Sequence, residues 1–147
     1  MIPALRAAYY IINQCNARGV SISNLKLQKI MYFVQGQFLV STGGPCFPED
    51  IEARDYGPVV SKVYTKFRVY GGASIPYQGA AEPLTEGDMA IIDMVLDHCA
   101  HYSATMLLKI TLRQTPWKIS YRQGENAVIP TEAIREFFEE DDNDSDS

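Results

Sequence analysis

Hydrophobic residues recur along most of this chain at the spacing of an α-helix. The clearest case runs from about residue 24 to residue 40, where one apolar stripe contains Leu27, Ile30, Met31, Val34 and Phe38. A second apolar face carries Leu25, Tyr32 and Leu39. Because a helix that is apolar on two faces has to be covered on both, we expect this helix to be buried at the centre of the domain. Ser23 or Asn24 can cap its first turn, and Gly36 would let another helix approach closely.

Six further helices are predicted from apolar periodicity and from residues that begin or end helices. They start after Pro3, at Pro58, after Thr85, after Ser103, after Thr115 and at Pro130. The segment 47–56 instead alternates weakly, so we predict one or two short strands there. The predicted fold class is therefore mainly α: a compact multi-helix single domain around a central buried helix.

Acidic residues are concentrated at the C-terminal end of the sequence. The chain has 13 basic and 18 acidic residues, for a formal net charge of −5, and most of the imbalance comes from residues 139–146. Such a segment buries too little apolar surface to offset the entropy cost of ordering it. We therefore predict a folded domain over residues 1–138 and an acidic disordered tail over residues 139–147. The acidic balance also argues against nucleic acid as the main partner, because it repels phosphate backbones.

The cysteines and the hydrophobic runs indicate where the protein resides. Cys15, Cys46 and Cys99 are odd in number and have no paired spacing, which is typical of reduced thiols in the cytoplasm. No run approaches the roughly 18 consecutive apolar residues of a membrane-spanning helix, and the N-terminus lacks the charged start of a signal peptide. The sequence therefore predicts a cytoplasmic location and no membrane partner.

No residue pattern points to catalysis or to a cofactor. The phosphate-binding patterns GxxxxGK[ST] and GxGxxG are absent, as is the nucleophile pattern GxSxG. Cys46 has no histidine near it in sequence that would activate it. Asp97 and His101 share a predicted helix face, with Asp93 and His98 nearby, but two ligands do not make a metal site and there is no CxxC pair. We therefore predict no catalytic residue, no metal and no cofactor.

A basic patch is the one pattern that a nucleic acid would use. It would require the second and third predicted helices to present side by side Lys26, Lys29, Lys62, Lys66 and Arg68. The same charges can equally be ordinary solvated helix faces, and the net charge of the chain favours that interpretation.

Two motifs in the first half of the chain, taken together, resemble one known family. The first motif is Lys26-Leu27-Gln28-Lys29 followed by Tyr32-Phe33-Val34-Gln35-Gly36, and the second is Ile51-Glu52-Ala53 followed by Tyr56-Gly57-Pro58-Val59. The combination strongly resembles the Panacea domain, the SocA-like antitoxin family, which also includes phage-associated GepA-like proteins. The resemblance covers most of the chain, up to Pro116-Trp117 and the segment 129–138. Family members often carry a Thr-His pair upstream of Pro-Trp, whereas here Thr111 is followed by Leu112.

The resemblance implies a function in protein binding rather than catalysis. It implies an antitoxin of a bacterial or prophage toxin–antitoxin system, acting in phage defence, that neutralises a co-encoded toxin by direct contact. The alternative is an adaptor that delivers the toxin to the ClpXP protease. On this resemblance the predicted partner-binding residues are Lys26, Gln28, Lys29, Tyr32, Glu52, Tyr56, Gly57, Pro58, Lys62 and Trp117.

Each of these motif residues has a second interpretation, in which it shapes the fold. Gly57-Pro58 would begin the third helix, Trp117 would anchor the core or a groove, and Glu52 would pair with a lysine of the second helix. The acidic tail likewise has two interpretations. It either lies over a basic, nucleotide-binding or RNA-binding surface of the toxin, or it only keeps the end of the chain solvated.

Overall fold

The computed structural model describes residues 1–146, with side chains as far as Asn143. Its helices are α1 (Ala4–Ala17), α2 (Asn24–Thr42), α3 (Ser61–Phe67), α4 (Glu86–Cys99), α5 (Ala104–Leu112), α6 (Thr115–Gln123) and α7 (Thr131–Asp146). One turn of 3-10 helix, Arg68–Tyr70, continues α3. The strands are β1 (Glu52–Arg54), β2 (Gly57–Val59) and β3 (Ala127–Val128). The predicted mainly α fold around one hydrophobic core is confirmed.

Helix α2 is the centre of this fold, as the sequence predicted. Thirteen of its 19 residues are buried, and it contacts α1, α3, α4, α5, α7 and β2. Ser23 caps it by accepting a hydrogen bond from the Lys26 amide, and Gly43 ends it in the left-handed conformation with φ of 80°. Because neighbours surround α2 on so many sides, polar side chains on this helix are also drawn into the interior. Among the described residues, no helix is long and apolar enough to cross a membrane.

The strands form a small antiparallel sheet in the order β2-β1-β3. Strands β1 and β2 form a hairpin in which Ala53 pairs with Pro58 and Arg54 pairs with Gly57. The predicted helix start at Pro58 is therefore wrong, because α3 begins only at Ser61. The physical reason is Gly57, whose φ of 91° turns the chain back along β1 before the helix can form.

Besides the cap of α2, helix caps were predicted at three sites, of which two are correct. Thr85 accepts a hydrogen bond from the Asp88 amide, and Ser103 accepts one from the Met106 amide. At α6 the predicted cap is wrong by one residue, since Gln114 precedes the helix and Thr115 is its first residue. Proline suits the first turn of a helix at either position because it has no N–H to leave unbonded.

Helix α7 reaches further than the predicted domain boundary. Residues 139–146 continue the helix in the structure, whereas the sequence predicted a disordered tail from Glu139. Adding residues to an existing helix needs no new nucleation, and glutamate is a good helix former, so an acidic composition does not prevent it. Glu139, Glu140 and Asp142 are exposed along this extension, and Ser147 lies outside the described residues.

Gly36 provides the seat for α7 on the central helix. A Cβ atom at this position would lie 2.5 Å from the ring of Phe138. That ring also makes edge-to-face contacts with Tyr32, at a centroid distance of 5.5 Å, and with Phe33, at 6.2 Å. Close approach of another helix at Gly36 was predicted, and the approaching element is α7.

A Gly36→Ala variant is expected to be less stable than the parent chain. In a chain that already carries Phe138→Ala, the same substitution is expected to increase stability. The clash with the ring costs about 1–3 kcal/mol, while alanine gains about 1 kcal/mol of helix propensity. Removing the ring removes the clash and leaves the gain. A double-mutant cycle in urea checks this reversal, and a loss of stability in both backgrounds would contradict the proposed seat.

Candidate functional site

Gln35 ties α2 to the loop that follows it. Its Nε2 donates to the Phe47 carbonyl at 3.0 Å, and its Oε1 accepts from the amides of Cys46 at 2.8 Å and Phe47 at 3.2 Å. All three residues are buried. Buried backbone groups need partners inside the protein, so one side chain satisfies three groups of this loop.

Gln28 and Asn24 hydrogen-bond to backbone groups at the start and in the middle of α3. Gln28 Oε1 accepts from the Val60 amide at 2.9 Å, and its Nε2 donates to Asn24 Oδ1 at 3.0 Å. Asn24 Nδ2 in turn donates to the Tyr64 carbonyl at 3.0 Å. The first turns of α2 therefore fix the position of α3.

Lys29 contacts the hairpin from the protein interior through a fully buried amine. Its Nζ donates to the Pro58 carbonyl at 2.8 Å and lies 5.8 Å from the centroid of the Tyr56 ring. Within the described part of the chain, no carboxylate lies within 4.0 Å of it. Burial lowers the pKa of Lys29 to about 7. A Cβ on Gly57 would lie 2.9 Å from Lys29 Cε, so a larger residue at position 57 would displace the buried amine.

Lys26 and Tyr32 also donate hydrogen bonds to neighbouring elements. Lys26 bonds to the end of α4, and Tyr32 bonds to the residue before α6. Lys26 Nζ donates to the Ala100 carbonyl at the end of α4, where the helix dipole favours a positive charge. Tyr32 Oη donates to Gln114 Oε1 at 2.7 Å, and burial raises the pKa of Tyr32. Both side chains are buried.

A cluster of aromatic and arginine side chains lies nearer the surface than this buried network, at the hairpin and the neighbouring faces of α3 and α6. We call it the hairpin cluster, and it consists of Arg54, Tyr56, Tyr64, Trp117 and Tyr121. The rings of Tyr56 and Tyr64 are 5.8 Å apart, and the Arg54 guanidinium lies 5.9 Å from the Tyr64 ring. The rings of Trp117 and Tyr121 stack at 4.6 Å. All five residues are partly exposed.

Polar contacts hold the hairpin cluster in place. Trp117 Nε1 donates to the Arg54 carbonyl at 2.8 Å, which fixes α6 against β1. The Tyr121 hydroxyl donates to Asp55, and this hydrogen bond raises the pKa of Tyr121. Arg54 pairs with Glu52 at 2.9 Å. The predicted pairing of Glu52 with a lysine of α2 is therefore wrong. Arg54, two residues away on the same face of β1, forms the ion pair with Glu52 instead.

The ten predicted partner-binding residues separate into two groups. Six are buried and hold the fold together: Lys26, Gln28, Lys29, Tyr32, Gly57 and Pro58. Four reach the surface to some degree: Glu52, Tyr56, Lys62 and Trp117. The structure brings Glu52, Tyr56 and Trp117 each into contact with Arg54 of the hairpin cluster. Binding by any of them stays a prediction.

The predicted partner-binding residues did not include three members of the hairpin cluster, Arg54, Tyr64 and Tyr121. Arg54 lies within the second family motif but was not among the residues of that motif that were predicted to bind the partner. Tyr121 follows Trp117 by four residues, and this i, i+4 spacing of aromatic residues on one helix was the available signal.

The residues considered for metal binding or catalysis have other partners. Arg18 pairs with Asp97 at 2.8 Å, and Asp93 accepts hydrogen bonds from Tyr10 at 2.8 Å and Gln14 at 2.9 Å. In residues 1–146 as described, no three histidine, cysteine or acidic side chains gather into a group that could hold a metal. Burial raises the pKa of Cys46 to about 12, which opposes formation of a nucleophilic thiolate.

The five basic residues do not form the patch that was considered. Lys26 and Lys29 are buried, whereas Lys62, Lys66 and Arg68 are exposed. The patch is broken because the two lysines of α2 are needed inside, at Ala100 and at Pro58.

Polar side chains of α2 hold the hairpin and two neighbouring helices in place. The fold is therefore a helical scaffold that exposes the hairpin cluster at its surface. Comparison with known proteins identifies the class of protein to which it belongs. Residues 27–118 match the family model described as "Antitoxin SocA-like, Panacea domain". The chain belongs to this family. It is 32% identical over 100 residues to "Antitoxin SocA" of Caulobacter vibrioides (strain NA1000 / CB15N). That similarity covers 68% of this chain and 53% of the relative, so the chain spans about half the length of that protein. No solved structure matches the chain significantly.

Proposed function

We propose that the chain is a cytoplasmic antitoxin that neutralises a co-encoded toxin by direct protein–protein binding and has no enzymatic role. The observation that carries the proposal is the family match over residues 27–118, which includes most of the buried network and most of the hairpin cluster. The relative from Caulobacter vibrioides is named as an antitoxin.

The composition of the hairpin cluster supports a binding role for that surface. Tryptophan, tyrosine and arginine are the residue types that most often dominate the energy of protein interfaces. Here one tryptophan, three tyrosines and one arginine lie together on a rigid support. Residues already held in place lose little entropy on binding, which favours tight association.

Co-expression with the product of the adjoining reading frame tests the function. We expect that product alone to stop growth of a bacterial host, and this chain to restore growth while the amount of toxin stays constant. The adaptor alternative predicts instead that the toxin disappears, and that growth fails in a host without ClpX. Failure to restore growth in either host would contradict both functions.

A Tyr64→Ala variant is expected to bind the toxin about tenfold or more weakly, because it removes a partly exposed ring that packs against Tyr56 and Arg54. Tyr77→Ala is the matched control, since Tyr77 is 61% exposed and lies outside the cluster. Calorimetric titration of the two purified variants with the toxin checks this. Equal affinities for both variants would place the binding surface elsewhere.

A further inference from the structure

A groove runs between α6 and α7, on the side of α6 away from the hairpin cluster. Its apolar lining includes Pro116 and Ile119 from α6 and Ala133 and Phe137 from α7. Ile119 is 54% exposed, which is high for an isoleucine between two helices. A groove of this kind between helices commonly receives the apolar face of another helix or segment.

The charged side chains that line the groove are all acidic. Glu136 and Glu140 line it, four residues apart on the same face of α7, and its lining contains no basic side chain in the described part of the chain. The basic residues of α6, Lys118 and Arg122, are exposed outside the groove. An occupant must therefore offer apolar side chains to the floor and positive charge to the edge.

We infer that this groove is the docking site for a basic amphipathic segment of the toxin, whose apolar side chains enter beside Ile119 and whose lysines or arginines face Glu136 and Glu140. The inference rests on the proposed function, because the occupant is part of the protein that the chain holds. A second copy of this chain is a poorer occupant, since its net charge of −5 would bring like charges together.

Two pairs of variants test the groove with the purified toxin. Ile119→Ala removes apolar contact, and Glu136→Lys combined with Glu140→Lys reverses the charge at the edge. Their controls outside the groove are Val69→Ala, at a residue 84% exposed, and Asp50→Lys combined with Glu82→Lys. We expect each groove variant to weaken toxin binding by about tenfold or more, and each control to change it by less than about threefold. The charge variant is also expected to make affinity less dependent on salt.

A second measurement does not depend on the toxin. Hydrogen exchange of the whole chain is followed with a synthetic helical peptide that has leucines at every third and fourth position and lysines elsewhere, and with the same peptide carrying glutamates. We expect the lysine peptide to protect residues 115–123 and 131–143 at physiological salt, and the glutamate peptide to protect neither.

The outcomes separate this inference from the proposed function. If the toxin is not bound but the lysine peptide protects the groove, the proposed function fails and the groove remains a site for basic segments. If the toxin is bound and the groove variants match their controls, the inference is overturned while the proposed function stands. A dimer of the chain that Ile119→Ala converts to a monomer in sedimentation would overturn the assigned occupant.

Discussion

A Gln35→Leu variant is expected to lose roughly 4 kcal/mol of the free energy of unfolding, because it strands three buried backbone groups at a cost of about 1–3 kcal/mol each. The groups are the amides of Cys46 and Phe47 and the carbonyl of Phe47. Leucine fills a similar volume, so the loss comes from the missing hydrogen bonds and not from a cavity. Urea denaturation followed by circular dichroism measures it.

Gln37→Leu is the matched control for this prediction. Gln37 lies two residues further along α2, and its side chain donates only to Ser41 Oγ, at 2.8 Å and near the surface. We expect this variant to change the free energy of unfolding by no more than about 0.5 kcal/mol. Similar losses in both variants would show that Gln35 does not hold the loop in solution.

The stability that Lys29 confers is expected to rise with pH. The pKa of Lys29 is about 7 in the folded chain and about 10.5 when unfolded, so between these values the unfolded state binds more protons. Stability therefore increases as pH rises through this window, and the cost of charging the buried amine is complete below it. Relative to a Lys29→Met variant, the parent chain should gain about 2 kcal/mol between pH 7 and pH 9.

Lys62→Met controls for the general effect of losing one lysine. Lys62 is exposed in α3, so its difference from the parent chain should be nearly constant over the same pH range. Measuring both variants against the parent cancels the contributions of other groups, including the cysteines whose pKa values burial raises. A flat difference for Lys29→Met would mean that water reaches the amine in solution.

Helices were predictable in this chain because local signals define them. The apolar stripe of α2 and the serine or threonine before α2, α4 and α5 act within one or two turns. The hairpin was harder to predict because Pro58 suits both the first turn of a helix and an extended strand. Only the positive φ at Gly57 decides between them, and that depends on the hairpin that forms across it.

The positions of the polar motif residues could not be predicted by the same reasoning. Hydrophobic periodicity assigns lysine and glutamine to the solvent, yet Lys29 and Gln35 are inside because backbone groups of β2 and of the loop at 46–47 meet α2 there. Those contacts join residues 11 to 29 positions apart, which no local window includes. The partners of surface residues, such as Arg54 with Glu52, likewise depended on which strand face they shared.

The contact of Phe138 with Gly36 also sets how late part of the core can form during synthesis on the ribosome. The contact joins the second helix to the last one, so α2 leaves the exit tunnel with its glycine and the adjoining Tyr32 and Phe33 uncovered. They stay uncovered until the C-terminal helix has been synthesised. The nascent chain therefore displays an aromatic surface that α7 later covers, and a chain cut short before α7 would present that surface to chaperones and proteases.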